Sequence, residues 1–255
     1  MKIALITDIH EHNLTLENIL RQAEMKGCDE VACLGDIVGL DTRFHHKPAQ
    51  RSARRSLELI RTHCRWVVAG NHDLYAAKRI PQHANGFEFP ATWFEMSAQE
   101  RKKVSRGKVW TFEHEVDNDL DDQDIAYIHS LPEFLVLNEN GQKLLFSHYL
   151  YPDFTGSTTQ YMERHHHLQD LWQFMTQQGL LYAFCGHAHT SFPEFAFPGR
   201  RSIFKAIHPI PSESIFLDNK TAAILLPPVS GSAGKAGFSI LDTQNRHLHI
   251  VYTSS

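Results

Sequence analysis

Alternating strand and helix signals predict an α/β protein built from βαβ units on a mainly parallel sheet, followed by a more antiparallel sheet from the last third of the chain. Three observations carry this reading. Short apolar runs recur between amphipathic stretches; five of those runs end in a carboxylate, amide or imidazole residue; and after Pro209 the pattern changes to closely spaced apolar runs broken by turn residues.

The first run, Lys2 to Thr7, is rich in Ile and Leu and ends at Asp8, as a buried strand would. A helix follows, with Asn13 as its cap, Leu16, Ile19, Leu20 and Ala23 on one face, and Gly27 to end it. Val31 to Leu34 is a second buried strand. Pro48 to His63 places Ala53, Leu57 and Ile60 on one face and arginines on the other, the pattern of a surface helix, and leads into a third strand at Trp66 to Ala69. Residues 74–127 form a phenylalanine- and charge-rich insertion, expected to cap the site, with a helix opening at a Ser97/Glu100 capping box. Strands at Lys143 to Ser147 and Leu181 to Cys185 flank a helix from Tyr161 to Gln178 that Gly179 closes. Two hairpins complete the chain: Ser214 to Leu217 turning at Asp218-Asn219 into Ala222 to Leu226, and Gly237 to Leu241 turning into His247 to Tyr252. Ser230 to Gly237 reads as a flexible loop.

A chain of 255 residues with 42% hydrophobic content can bury a full core in one domain, expected here to span residues 1–255. Lys and Arg number 25 against 29 Asp and Glu, a formal charge of −4, so no global positive field attracts nucleic acid or an anionic membrane surface. The four cysteines are scattered, and a reduced, mostly buried state is expected of them. The N-terminal run is shorter than a signal sequence's core and no stretch approaches the roughly 20 apolar residues of a membrane span, so a cytoplasmic location is expected.

The strand endings supply the chemistry: Asp8 with His10, Asp36, Asn71 with His72 and Asp73, His148, and His187 with His189. In a parallel sheet these endings converge at the carboxyl edge, where ligands bind. An isolated imidazole beside a strand is usually a hydrogen-bonded core group, but five endings converging on one edge are not explained that way. Oxygen and imidazole donors without thiolates favour Mn, Fe or Zn. Seven candidate ligands (Asp8, His10, Asp36, Asn71, His148, His187, His189) exceed what one centre with an open position needs, and suit two centres sharing a carboxylate, for which Asp36 is the natural bridge. Two such ions, about 3.5–4 Å apart, can clamp phosphoryl oxygens and activate a bridging hydroxide.

Asp8-x-His10, Gly35-Asp36-x-x-Gly39, Gly70-Asn71-His72-Asp73, His148 and Gly186-His187-x-His189 resemble, in order, the pattern of the calcineurin-like metallophosphoesterases. The resemblance implies a four-layer αββα sandwich with two central mixed β-sheets, and hydrolysis of a small phosphorylated substrate with phosphate as product. It further implies that Asp8, His10, Asp36 and His189 hold one ion and that Asp36, Asn71, His148 and His187 hold the other. By the same resemblance Asn71 and His72 contact the substrate, and His72 is the general acid with Asp73 orienting its ring. Neither a membrane nor a nucleic acid is an expected partner. The rival readings are a non-catalytic scaffold of the same fold, a protein phosphatase, and a nuclease, which would need a basic or aromatic strand-binding channel.

Two features depart from the family pattern. His148 is followed by Tyr149, Leu150 and Tyr151, which predicts a narrower or aromatic wall there, and the loop after Gly39 carries Arg43, His45, His46 and Lys47, read as an exposed loop outside the site. The bland reading holds for His165, His166 and His167 on a helix face, for His129 at a helix end, and for His247 and His249 on a strand.

Overall fold

The computed structural model describes residues 1–43, 50–199, 205–231 and 235–253, in which two six-stranded mixed sheets stack face to face between two layers of helices. In chain order the elements are β1 (Lys2–Ile6), α1 (Asn13–Met25), β2 (Glu30–Cys33), α2 (Ala53–His63), β3 (Trp66–Val67), α3 (Asn71–Ala76), α4 (Ala98–Ser105), α5 (Asp122–Ser130), β4 (Phe134–Glu139) and β5 (Gln142–Ser147). They continue with α6 (Gln169–Gln178), β6 (Leu180–Cys185), β7 (Glu194–Ala196), β8 (Ile207–Pro209), β9 (Ser214–Phe216), β10 (Ala222–Leu225), β11 (Gly237–Asp242) and β12 (His247–Tyr252). The first sheet runs β3-β2-β1-β11-β12-β9 and the second β4-β5-β6-β10-β7-β8.

Strand alternation builds the layers. Along β1, Ile3 and Leu5 point into a cluster shared with Leu144, Phe146 and Phe184 of the second sheet, while Ala4 and Ile6 point toward Leu16 and Ile19 of α1 and Leu57 and Ile60 of α2. The far face of the second sheet, including Leu145, Ala183 and Cys185, packs on Leu171 and Met175 of α6. Each sheet is therefore buried on both faces, which is why its central strands read as continuous apolar runs. The predicted four-layer αββα sandwich is the observed one.

Parallel pairing sets the functional edge. β1 pairs parallel with β2, which pairs parallel with β3, and β5 pairs parallel with β6. Their carboxyl ends lie on one side, where Leu34 N donates to Ile6 O at 2.8 Å and Gly186 N donates to His148 O at 2.9 Å.

Several local expectations need correction. Asn13 does not cap α1, whose N-cap is His12; its amide donates to Gln50 O and Ser52 O at 3.1 Å and accepts from Ser56 Oγ at 2.6 Å, so it joins α1 to α2 instead. α2 begins only at Ala53, capped by Ser52 Oγ accepting from Arg55 N. The three consecutive histidines form a 3-10 turn, His165–Leu168, ahead of α6 rather than part of it. The predicted hairpin at Asp218-Asn219 is a crossover: β9 pairs with β12 in the first sheet, whereas β10 sits between β6 and β7 in the second. A turn dipeptide specifies a reversal but not the partner of each strand, and burial of Ala222–Leu225 on both faces decides for the second sheet. The β11–β12 hairpin forms as expected, yet joins the first sheet antiparallel to β1. Within residues 74–127, Leu74 of α3 packs into the core and Ile125 and Tyr127 of α5 pack against it, so the inserted part is taken below as the segment between α3 and α5. Its helix α4 starts at the expected Ser97/Glu100 capping box. Among the described residues no helix is long and apolar enough to cross a membrane.

Candidate metal centre

The five strand endings meet. Asp8 and His10 follow β1, Asp36 follows β2, Asn71 and His72 open α3 directly after β3, His148 follows β5, and His187 and His189 follow β6. His189 Nε2 stands 3.2 Å from Asp8 Oδ1 and 3.2 Å from His10 Nε2, and His10 Nε2 is 3.6 Å from Asp36 Oδ2. His148 Nε2 is 3.0 Å from Asp36 Oδ2 and 3.9 Å from Asp8 Oδ1. Potential ligand atoms of Asp8, His10 and His189, and separately of Asp36, His148 and His187, lie within 4.8 Å of one another, and Asp36 groups with His10 and His72 as well.

The backbone is forced to aim these groups. Asp8 (φ 52°), His10 (φ 46°), Asp36 (φ 52°), His187 (φ 65°) and His189 (φ 49°) all adopt the left-handed conformation that bulky L-residues rarely visit. Such a conformation turns the chain out of a strand within one residue and throws the side chain over the sheet edge. Gly70 allows a close approach: a Cβ there would collide with Asp36 Oδ1 and lie 2.8 Å from its carboxyl carbon.

Second partners fix which imidazole nitrogen faces inward. His10 Nδ1 lies 2.7 Å from Gly39 O, and His148 Nδ1 lies 2.8 Å from Leu34 O. A carbonyl only accepts, so both Nδ1 atoms carry a proton and both Nε2 atoms face the carboxylates, the nitrogen that metal-ligating histidines present. Asn71 Oδ1 is buried without a hydrogen-bond partner, and His148 Nε2 faces the Asp36 carboxylate. An orphaned buried acceptor in a site that gathers two carboxylates fits a cation, because an unsatisfied buried polar atom otherwise costs about 1–3 kcal/mol.

Electrostatics follow from this crowding. Burial raises the carboxyl of Asp36, but His148 and then His72 outweigh it and hold the group well below the usual carboxylate range. Asp8 is lowered in the same way by His189 and His148 against burial. The reciprocal effect of Asp36 lifts His148 to about 9 despite burial, whereas burial and the neighbouring His148 push His187 down to about 3.

His72 differs from the rest. Its backbone N–H donates to Asp36 Oδ1 at 3.0 Å, and its ring Nδ1 lies 3.0 and 2.9 Å from the two carboxylate oxygens of Glu115. Burial lowers its basicity, but Glu115 and then Asp36 overcome this and raise it to about 10. Asp73, expected to orient this ring, does not do so. Its carboxylate accepts from Gly70 N at 2.9 Å, Ile37 N at 2.9 Å and Val38 N at 3.0 Å, because an acidic residue in a helix's first turn folds back on the cap and here reaches the neighbouring loop. Burial and the charge of Asp36 raise Asp73 to about 7. Glu115 escaped sequence reasoning because it belongs to no motif and sits among other acids in the insertion.

The aromatic wall anticipated after His148 is present in part. Tyr149 packs 4.6 Å from the His187 ring and Tyr161 stacks at 5.9 Å, while Tyr151 turns away to stack on Phe174. Arg43 is bound to Asp41 through Nη2 at 2.6 Å. His45, His46 and Lys47 lie outside the described residues.

Residues 1–195 match the family model described as calcineurin-like phosphoesterase superfamily domain. Over 170 residues the chain is 26% identical to the protein MJ0912 of Methanocaldococcus jannaschii, an alignment spanning 62% of this chain and 58% of that one. Among solved structures, a metallophosphoesterase from Sphaerobacter thermophilus superposes with a TM-score of 0.67 at 20% identity, covering 100% of this chain and 88% of that one. The hypothetical protein PH1004 from Pyrococcus horikoshii superposes with a TM-score of 0.56 at 14% identity, covering 99% and 88%.

Proposed function

Because the chain belongs to the calcineurin-like phosphoesterase superfamily, we propose that it is a dinuclear metal-dependent hydrolase of small phosphate esters, whether phosphomonoesters, phosphodiesters or nucleotide polyphosphates. The observation that carries this reading is the convergence of Asp8, His10 and His189, and of Asp36, His148 and His187, in sets whose ligand atoms lie within 4.8 Å of one another, with Asn71 Oδ1 buried and unpartnered. Asp8, His10, Asp36 and His189 would hold one ion; Asp36, Asn71, His148 and His187 would hold the other. Mn, Fe or Zn suits these donors. Ions bound there supply Lewis acidity and an activated water for attack on phosphorus.

The protein's own groups do the rest. Asp36 lies between the two ligand sets and is the shared carboxylate. Gly39 O and Leu34 O hold His10 and His148 in the tautomer that presents Nε2. His72, held at Nδ1 by Glu115 and at its backbone N–H by Asp36, binds the phosphate and donates a proton to the leaving oxygen, which an alkoxide requires near neutral pH. The net charge of −4 supports small soluble esters over polyanionic partners. A non-catalytic scaffold would have no need of His72 beside a complete ligand set.

The test is turnover of p-nitrophenyl phosphate, bis-p-nitrophenyl phosphate, a dinucleoside polyphosphate and a phosphopeptide by protein loaded with Mn, Fe or Zn, with a chelated control. Metal-dependent hydrolysis of a small ester is expected. Metal binding without turnover of any substrate would overturn the reading in favour of a scaffold, and turnover of the phosphopeptide alone would favour a protein phosphatase.

A further inference from the structure

Glu115 reaches His72 from the segment between α3 and α5, a part of the chain that carries none of the strand-end ligands. Its side chain is 9% exposed, and both its oxygens lie within hydrogen-bond distance of His72 Nδ1. The space it fills is kept open by the strand-end loop: Gly39 has φ +84°, and a Cβ there would collide with Glu115 Oε1 and stand 2.9 Å from His72 Nδ1. The Glu115 backbone is fixed against that same loop by the antiparallel bridge Asp41–Glu115, by Val116 N donating to Leu40 O at 3.0 Å and by Thr42 N donating to His114 O at 3.2 Å. Phe112, three residues earlier, meets the His72 ring edge-on at 5.2 Å and stacks on Tyr75 at 4.1 Å.

We propose that Glu115 is the positioning residue for His72, and that the segment between α3 and α5 thereby completes a site whose metal ligands come entirely from the strand-end loops. The inference rests on the hydrolase reading for its kinetic consequence, though not for its structural one. An ionised carboxylate only accepts hydrogen bonds, so His72 Nδ1 must carry a proton to face it. The proton exchanged with a substrate is then the one on Nε2, and the carboxylate and Phe112 together set the plane in which Nε2 meets the leaving oxygen.

The experiment compares wild type with Glu115→Ala, Glu115→Gln and, as a control on the same segment, Glu113→Gln, whose parent side chain makes a long 4.0 Å ion pair with Lys102. Two readouts are taken on zinc-loaded protein. The first is kcat and KM for a methyl phosphate ester and for the p-nitrophenyl ester of the same phosphate class. The second is the protonation pattern of the two ring nitrogens of His72, followed by 15N NMR of histidine-labelled protein. Glu115→Ala is expected to lower kcat for the methyl ester by roughly 10–100-fold, the range typical of removing a carboxylate that orients a functional histidine. The p-nitrophenyl ester, which leaves without protonation, should be little affected. The NMR should show Nδ1 protonated in wild type and a mixture of tautomers in Glu115→Ala. Glu115→Gln, which still offers a carbonyl oxygen to Nδ1, should restore the wild-type tautomer and part of the methyl-ester turnover. Equal losses for both esters, an unchanged His72 pattern in Glu115→Ala, or a Glu113→Gln variant as impaired as Glu115→Ala would each overturn the proposal. If wild type cleaves neither ester the hydrolase reading fails, and the NMR comparison alone decides whether Glu115 fixes the ring.

Discussion

The strand-end loops and the segment between α3 and α5 both press on His72, yet different physics holds them in place. The loops are over-determined by backbone hydrogen bonds. Ile9 N and His10 N both donate to Asp36 O, at 2.8 and 3.1 Å, and Gly186 N donates to His148 O. That web holds six left-handed non-glycine residues, Asp8, His10, Glu11, Asp36, His187 and His189, each costing about 1–3 kcal/mol, and the strain is tolerated because the buried central strands enforce it. The inserted segment has only one short helix and a small aromatic cluster of Phe87, Phe89 and Trp93, with ring centroids 4.9–5.4 Å apart. It touches the loops through isolated bridges at Asp41–Glu115 and Val109–Thr158. The difference teaches that the loops carrying the candidate ligands and the segment that meets His72 are stabilised by separate contacts, so mutations should separate them.

The largest effect is expected at the loops. Asp36→Asn removes the charge that both ligand sets share, so metal content and turnover should fall together, with turnover dropping beyond the ~10⁴-fold upper end of losing a general acid. Metal analysis beside the ester assay checks this, and retention of two ions per chain would remove Asp36 from the bridge. His72→Ala should instead leave metal content near normal while turnover of poor leaving groups falls by roughly 10²–10⁴. Loss of metal in that variant would mean that His72 is itself a ligand, consistent with its closeness to His10 and Asp36.

These two regions also differ in how much of them the sequence disclosed. Each candidate ligand was legible because strand hydrophobicity, an abrupt polar residue and a glycine where the backbone must turn or approach closely are local signals that agree with one another. Layer composition was legible in β1 and β6 for the same reason. Glu115 was not, since nothing near Glu113-His114-Glu115 distinguishes one acid from another until the chain pairs with Leu40 and Asp41, a long-range event. The role given to Asp73 failed because adjacency to His72 in sequence is not adjacency of side chains, and at a helix's first turn the carboxylate folds back toward Gly70 N. The β9–β10 hairpin failed because turn residues say where a chain reverses but not which sheet receives it.

Within the inserted segment, Trp93 is the test of independence. It is 2% exposed and packs edge-to-face on Phe87 and Phe89, so Trp93→Ala should cost about 3–5 kcal/mol of the stability of whatever unit unfolds with it. Hydrogen exchange should show the loss confined to the segment between α3 and α5, with metal content unchanged and methyl-ester turnover reduced as in Glu115→Ala. Loss of metal alongside would merge the two regions into one cooperative unit and remove the contrast.

The smallest effect belongs to the bridge between the regions. Arg43 grips Asp41 with Nε at 3.0 and 3.2 Å and Nη2 at 2.6 Å, but its side chain is 42% exposed, so the pair should contribute no more than about 1 kcal/mol. Burial raises the Asp41 carboxyl, and the hydrogen bonds from Arg43 more than reverse this, leaving it below its ordinary value. A carboxyl lowered in the folded state stabilises above its unfolded value of about 4 and loses that contribution as pH falls through its folded value. Arg43→Ala should therefore be less stable than wild type near pH 7, and the difference should shrink as denaturation is measured at successively lower pH below about 4. Methyl-ester turnover should stay near wild type, since Val116 N and Thr42 N still dock the Glu115 backbone. Were Arg43→Ala instead to match Trp93→Ala in lost turnover, a single exposed ion pair rather than the aromatic cluster would hold Glu115 against His72.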